Sequence, residues 1–255
     1  MDYNSLLHAI PKEWKVNLKL YKNEANTHLE QQSTEETQII RLDDQCYDLN
    51  KISTKLIYSH IIKGIFKPPT ANEKWIAEFP FINDNDLEYY YKMPHYTVKE
   101  TKLQVFQYKI LNRIVPCQSL LYTWKLAPDN KCENCNIYDS ITHYFYDCPM
   151  ATLFWTQITK WLSNNCSIQI YLAKTDVIFG IKSQKQNQFI YCVNYIIIQG
   201  KWYIYQCKMN KKNVFLLDFL VHLKNELSIE KYIYVCNGQL EIFAKHWDTL
   251  YNALG

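Results

Sequence analysis

Three cysteines and one histidine lie close together between positions 132 and 148, and they limit the possible folds more than any other feature. Cys132, Cys135, His143 and Cys148 follow the spacing C-x2-C-x7-H-x4-C. Three thiolates and one imidazole make a complete tetrahedral ligand set for Zn²⁺ in a structural site. Because a closed set leaves no position for a catalytic water, the pattern predicts one structural zinc and a binding module rather than a zinc enzyme.

The surroundings of these residues favour a metal site over a chance grouping. The chain has nine cysteines in 255 residues, but the stretch around Cys132 and Cys135 is polar, where buried structural cysteines are not expected. The central loop contains no glycine. His143 and Cys148 are five residues apart, about 500° around an ideal helix, so they cannot share one face of it. We expect the chain to turn between them and a helix to begin at Pro149.

The other six cysteines are isolated in apolar or aromatic surroundings. The odd total of nine cysteines, with the absence of a signal peptide at the first residues, predicts a reducing, intracellular location in nucleus or cytoplasm and no secretion. Cys117 is an alternative ligand because it follows a proline beside the metal segment. No local motif supports Cys117 or Cys166 as a catalytic nucleophile.

Composition predicts a mainly α-helical fold. Five glycines and eight prolines in a chain with 48% apolar residues favour helices with short connections, and no apolar run is long enough to cross a bilayer. We expect a helical connector over 1–95, a zinc-binding domain over 96–165 and a C-terminal helical bundle over 166–255. Helices are predicted at 6–10 and 14–21, with a polar linker at 26–37.

Capping signals and apolar spacing place the later helices. Ser53 can cap a helix that stops before two prolines, and Thr70 and Thr97 each begin a capping-box pattern. Asn83 begins a turn or another cap. Apolar residues at helical spacing then predict a helix after Thr97, with Leu103, Phe106, Ile110 and Ile114 buried, and others at 149–162, 188–208, 214–227 and 240–251. Gly200 is the weak point of the helix at 188–208.

Basic side chains are concentrated in two segments. Residues 96–131 carry six Lys or Arg against two Asp or Glu, and Lys102, Lys109 and Arg113 fall within roughly 40° on one helix face. The second segment carries four lysines without an acid, interleaved with aromatic residues: Lys201, Lys208, Lys211 and Lys212. Each basic segment has two interpretations: a surface that binds the phosphate backbone of a nucleic acid, or an ordinary solvent-exposed face.

Several motifs resemble the zinc-binding segment that follows the polymerase in LINE-type (non-LTR) retrotransposon reverse transcriptases. The run KLQVFQYKILNRI at 102–114, the C-x-x-C, the DSITHYFYDC stretch at 139–148 and the Phe154-Trp155 pair correspond to that family in order and spacing. Weaker likeness extends to IPKEWK at 10–15, TKLIY at 54–58 and KWYIYQCK at 201–208. Asp139-Ser140 stands where Glu-Thr is usual, and Tyr144 and Tyr146 replace the common Leu and Trp.

The resemblance implies a piece of a larger protein without its own enzymatic activity. A polymerase needs carboxylates that hold two Mg²⁺, and the only Asp pair, Asp43-Asp44, lacks the preceding residues of the family's catalytic turn. We expect the chain to be the C-terminal portion of such a protein, acting with its reverse transcriptase domain, and to use neither a membrane nor a small-molecule substrate.

By the same resemblance, the chain is expected to bind RNA or single-stranded DNA with little sequence preference. Lysine and arginine contacts to phosphates are expected from both basic segments and from Lys131, and stacking on unpaired bases is expected from Tyr144 and Tyr146. The alternative is a zinc-stabilised helical domain that binds protein alone, for instance along an apolar surface at 216–223.

Overall fold

A computed structural model describes residues 39–42, 44–48, 51–183 and 188–255. The chain divides into two units, residues 1–67 and 68–255. The core of the second unit is one cluster that runs from Ala71 to Leu250, across the boundaries expected at 95/96 and 165/166. The helices predicted at 6–10 and 14–21, the linker at 26–37 and the IPKEWK motif lie outside the described residues.

The described part of the first unit holds a hairpin and a helix. Strands β1 (Ile39–Leu42) and β2 (Gln45–Asp48) pair antiparallel, with Leu42 opposite Gln45. Asp44 adopts a positive φ of 62° in the turn, a conformation that Asp tolerates better than most residues. Helix α1 (Thr54–Ile65) begins as predicted at Ser53, whose Oγ accepts a hydrogen bond from the amide of Leu56 at 3.2 Å.

The second unit is built from helices around one π-helical turn. In chain order they are α2 (Thr70–Glu78), α3 (Asp84–Thr97), α4 (Thr101–Leu111), α5 (Gln118–Thr123), the π-turn (His143–Asp147), α6 (Pro149–Cys166), α7 (Lys174–Phe179), α8 (Gln188–Met209), α9 (Leu216–Cys236) and α10 (Leu240–Ala253). The prediction of a mainly α-helical fold around a metal site is confirmed.

Only one of the three candidate capping boxes of this unit forms. Asn83 accepts a hydrogen bond from the amide of Asp86, and the carboxylate of Asp86 accepts one from the amide of Asn83, both at 3.1 Å. The box predicted at Thr70 is wrong because Thr70 is already the first residue of α2. The box at Thr97 is also wrong, since Thr97 ends α3 and its hydroxyl donates to the carbonyl of Met93.

Helix α8 passes through the centre of the second unit and packs against α3, α4, α9, α10 and the π-turn. Ile196, Ile197 and Ile198 are all buried, so apolar side chains surround the helix as expected for a central element. Gly200 permits the close approach of α6: a Cβ atom at this position would lie 2.7 Å from the ring of Trp155. The glycine is therefore a packing requirement.

Ionisable side chains meet where the start of α4 faces α9. The carboxyl of Glu100, at the N-cap of α4, shares a hydrogen bond with Glu226 and pairs with Lys102 at 2.7 Å, while His222 lies 3.8 Å from Glu226. Burial and the neighbouring Glu100 raise the pKa of Glu226 to about 7. Burial also raises the pKa of Glu230 to about 7.

All nine cysteines have free thiols. Of the six cysteines outside the candidate metal site, Cys46 and Cys236 are exposed, and Cys117, Cys166, Cys192 and Cys207 are buried. Among the described helices, none is both long enough and apolar enough to cross a membrane.

Candidate metal centre

The first two candidate ligands lie on a tight turn between two short extended segments. Lys131 and Tyr138 form an antiparallel bridge, and the amide of Cys132 donates to the carbonyl of Ile137 at 2.7 Å. The amide of Asn136 donates to the carbonyl of Cys132 at 2.8 Å, and Asn136 adopts a positive φ of 59°. We call the segment 131–138, which carries Cys132 and Cys135, the knuckle. Asparagine tolerates the positive φ at position 136, which explains how the knuckle forms without a glycine.

The other two candidate ligands flank a π-helical turn. The amide of Cys148 donates to the carbonyl of His143, five residues back, at 2.9 Å. A π-helical turn contains more residues than the 3.6 of an α-helix, so two residues five apart return to the same side of the chain. The turn predicted between His143 and Cys148 is therefore a π-helical turn, in which the helix is locally wider. Helix α6 then begins at Pro149, as predicted.

The four side chains meet at one point. Their ligand atoms all lie within 4.8 Å of one another, with Cys132 Sγ 3.9 Å from Cys148 Sγ and Cys135 Sγ 3.2 Å from His143 Nε2. Ligands around a tetrahedral Zn²⁺ with its usual bond lengths stand about 3.5–3.8 Å apart. The donor set and spacing therefore fit one zinc ion.

Burial has opposite effects on two of these ligands. Burial raises the pKa of the Cys132 thiol to about 11 and lowers the pKa of His143. The neutral imidazole is the form of histidine that binds a metal, whereas the thiol must lose its proton to do so. Cys117, the alternative ligand, is outside the group: its Sγ contacts Ser119 Oγ at 3.3 Å.

A lysine of α8 joins the metal centre to the rest of the unit. Lys208 Nζ donates to the carbonyl of Tyr144 at 3.0 Å, lies 3.8 Å from the centre of the Tyr144 ring and 4.0 Å from Asp139. Asp139 in turn accepts a hydrogen bond from the amide of Gln118 at the start of α5. Tyr144 is only 5% exposed and packs against Tyr205. The expected contacts of Lys208 and Tyr144 with nucleic acid do not fit these positions.

Lys201 is also inside the protein. Its side chain on α8 is fully buried, with Nζ 2.5 Å from Gln107 Oε1 and 2.9 Å from the carbonyl of Ile178. Burial lowers the pKa of Lys201 well below the usual value for lysine. The predicted phosphate contact of Lys201 does not fit this burial, and the side chain instead links α8 with α4 and α7.

The basic face predicted on α4 is reduced to two lysines. The helix ends at Leu111, and Arg113 has a positive φ of 58°, which turns it away from Lys102 and Lys109. Its guanidinium lies 2.6 Å from Glu78 and 3.9 Å from the centre of the Trp75 ring. The predicted burial of Ile114 is wrong, since this side chain is exposed beyond the helix end.

Three of the expected cations remain exposed at the metal centre. Lys131 lies on the first segment of the knuckle, and Lys211 Nζ stands 3.9 Å from Glu133 between the two knuckle cysteines. Lys212 follows Lys211 and is exposed. Tyr146 is half-buried, and its hydroxyl donates to the carbonyl of Leu172 at 3.1 Å.

Sequence reasoning missed the aromatic side chains that are exposed near the knuckle. Tyr138 is 57% exposed, and Tyr122 and Trp124, at the end of α5, are exposed as well. The exposure of Tyr138 could have been predicted, because this residue lies in a polar segment outside any apolar helical stripe.

Comparison with known families agrees with this geometry. Residues 83–155 match a family model described as zinc-binding in reverse transcriptase. The matched segment runs from the cap of α3 into α6 and contains all four candidate ligands. The resemblance to a reverse transcriptase zinc-binding segment is confirmed for these residues. No curated protein matches the chain.

Proposed function

We propose that this chain, whose residues 83–155 form a reverse transcriptase zinc-binding domain, binds nucleic acid as part of a LINE-type (non-LTR) retrotransposon reverse transcriptase. The zinc-binding domain is an accessory domain and is not itself catalytic. Its proposed ligands are RNA or single-stranded DNA, and its proposed protein partner is the reverse transcriptase domain of the parent protein.

The observation that carries this proposal is the meeting of two basic segments at the metal centre. Lys211, at the end of α8, lies beside Glu133 of the knuckle, and Lys131 belongs to the knuckle itself. Lys212 adds a further exposed charge. Glu133 lies beside Lys211, and the carboxylate of Asp129 accepts a hydrogen bond from the amide of Lys131. The Lys211–Glu133 pair is exposed enough for solvent to weaken it. A phosphate backbone can therefore replace Glu133 as the partner of Lys211.

A bound zinc would fix the backbone that presents these cations. It would join the knuckle turn to the start of α6 through the two ligand pairs, since Cys132 and Cys135 belong to the turn and His143 and Cys148 flank the π-turn. The backbone of Lys131 would then be fixed relative to the π-turn and the start of α6. Contacts of this kind follow the phosphate backbone, so we expect little sequence preference.

A salt titration with paired variants tests the proposal. We would measure binding of labelled single-stranded RNA and DNA to the full zinc-loaded chain by fluorescence anisotropy. Replacing Lys211 and Lys212 by alanine should weaken binding and reduce the slope of log K against log salt by about two. Replacing Lys160 and Lys245, two exposed lysines on other helices, removes the same charge and should change little. Equal losses in both pairs, or binding indifferent to salt, would sink the proposal.

A second candidate function rests on the outer face of α9. Phe219 and Leu223 of this helix are buried, but Leu217, Val221 and Tyr232 are 75%, 61% and 69% exposed and lie within about 60° of each other on the helix. An exposed apolar stripe of this kind is typical of a protein-binding surface. Capture of the parent reverse transcriptase domain after nuclease treatment, lost with Val221→Asp, would favour this function.

A further inference from the structure

An open cavity lies beside the metal centre, between α2, α5 and the segment that leaves the knuckle. Its volume is about 560 Å³, within the usual range for a small-ligand site. Three structural features contribute to its wall. Helix α2 contributes Lys74 and Glu78, the chain after α4 contributes Arg113, and the knuckle exit contributes Tyr138.

The charged side chains in this wall leave a net positive charge. The guanidinium of Arg113 is held between the carboxylate of Glu78 at 2.6 Å and the ring of Trp75 at 3.9 Å. This contact neutralises Glu78 but engages only part of the five-donor guanidinium, so other N–H groups of Arg113 remain available. Lys74 is exposed and adds a second cation. Two cations and one anion suit a ligand with a single negative charge.

The aromatic side chain in the wall is exposed on a rigid backbone. Tyr138 is 57% exposed, and its bridge to Lys131 and the hydrogen bond between Cys132 and Ile137 hold its main chain. A fixed, exposed ring beside a cationic wall is the arrangement on which unpaired bases stack in proteins that bind single strands. Hydroxyl groups of Ser119 and Thr123 also line the cavity.

We propose that this cavity binds one unpaired nucleotide of a single strand, with its base on Tyr138 and its phosphate beside Lys74 and Arg113. The inference rests on the proposed nucleic-acid-binding function and adds a site that the zinc ligands and the lysines of α8 do not include. A base within a duplex cannot reach Tyr138 without leaving its stack, so the site selects unpaired segments.

The test compares ordinary and abasic strands. We would measure binding of the full zinc-loaded chain to a single strand of about 12 nucleotides and to the same strand without bases. Tyr138→Ala should weaken binding to the ordinary strand by about 10-fold and leave binding to the abasic strand unchanged. Tyr138→Phe should bind as the unchanged protein does. Tyr122→Ala, which removes an equally exposed ring outside the cavity, is the matched control.

Lys74→Ala should weaken binding to both strands by a similar factor, about threefold, because it removes a phosphate contact. The inference is overturned if Tyr138→Ala binds the ordinary strand as tightly as Tyr122→Ala, or if it loses the same factor on the abasic strand. If the unchanged protein binds neither strand, the proposed function itself fails. If the Lys211 and Lys212 variant loses binding while Tyr138→Ala does not, only the nucleotide site is refuted. Zinc content and thermal unfolding confirm that each variant is folded.

Discussion

The contact between α8 and α6 makes Gly200→Ala a sensitive probe of the core around the metal centre. The new methyl group would lie 2.7 Å from Trp155 Cη2 and 3.2 Å from Phe154, closer than side-chain carbons normally approach. Trp155 cannot easily retreat, because its indole N–H donates to the carbonyl of Phe145 in the π-turn at 2.7 Å. Either α8 moves away or Trp155 breaks this hydrogen bond.

The expected loss of stability follows from two opposing effects. Crowding a packed core by one methyl group costs up to about 3 kcal/mol where the neighbour is fixed. Alanine in a helix interior is favoured over glycine by about 1 kcal/mol. The net loss is therefore about 2 kcal/mol, which lowers the midpoint of thermal unfolding by about 4–8 °C in a unit of this size.

Calorimetry on the zinc-loaded chain would measure this change. The matched control is Gly64→Ala in α1, where no atom beyond the local helix backbone lies within 4 Å of the new methyl group, so stability should stay constant or rise. In a Trp155→Phe background, the smaller ring should tolerate Gly200→Ala, which gives a coupling of about 1 kcal/mol or more. An unfolding midpoint for Gly200→Ala equal to or above that of the unchanged protein would refute the reasoning.

Three further predictions concern the metal and buried ionisable groups. Chelation should lower the unfolding midpoint by about 10 °C, and Cys135→Ser should lose zinc while Cys117→Ser keeps it, as measured by metal analysis. The pKa of Glu226 is higher in the folded than in the unfolded protein. Ionisation of Glu226 therefore destabilises the fold as pH rises from about 4.5 to 7. Glu226→Gln should raise the midpoint of thermal unfolding by about 2 °C at pH 8 and leave it unchanged at pH 5. The pKa of Lys201 lies below its unfolded value, so stability should rise as pH rises toward the ordinary pKa of lysine, and Lys201→Met should flatten that rise.

The metal group and most helices of the second unit could be predicted from the sequence. Ligand chemistry limits zinc to a few residue types, so the spacing of Cys132, Cys135, His143 and Cys148 carries most of the information. Helix α9 extends beyond its predicted end to Cys236, because exposed apolar residues obscured the periodicity. The π-turn could not be predicted, since π-helical turns have no clear sequence signature; in this fold Trp155 donates a hydrogen bond to the carbonyl of Phe145 within the turn.

The direction of individual side chains was less predictable. Lys201 and Lys208 belong to a basic segment by composition, yet tertiary contacts with Gln107 and Tyr144 take both ammonium groups inside. Arg113 left its expected face because the helix ended two residues earlier. In the first unit, the described hairpin was not predicted, because four-residue strands contain too few residues to show a clear alternation.

The packing of α8 has a practical consequence for anyone who excises the domain. The family signature ends at residue 155, but Phe106 stacks edge-on against Trp202, and Trp155 packs where Gly200 leaves space. A fragment cut at the end of the signature would carry these aromatic faces uncovered into solvent and would tend to aggregate or bind indiscriminately. An apparent affinity for nucleic acid measured on such a fragment would reflect nonspecific binding by these uncovered aromatic side chains. Expression should therefore extend through α10.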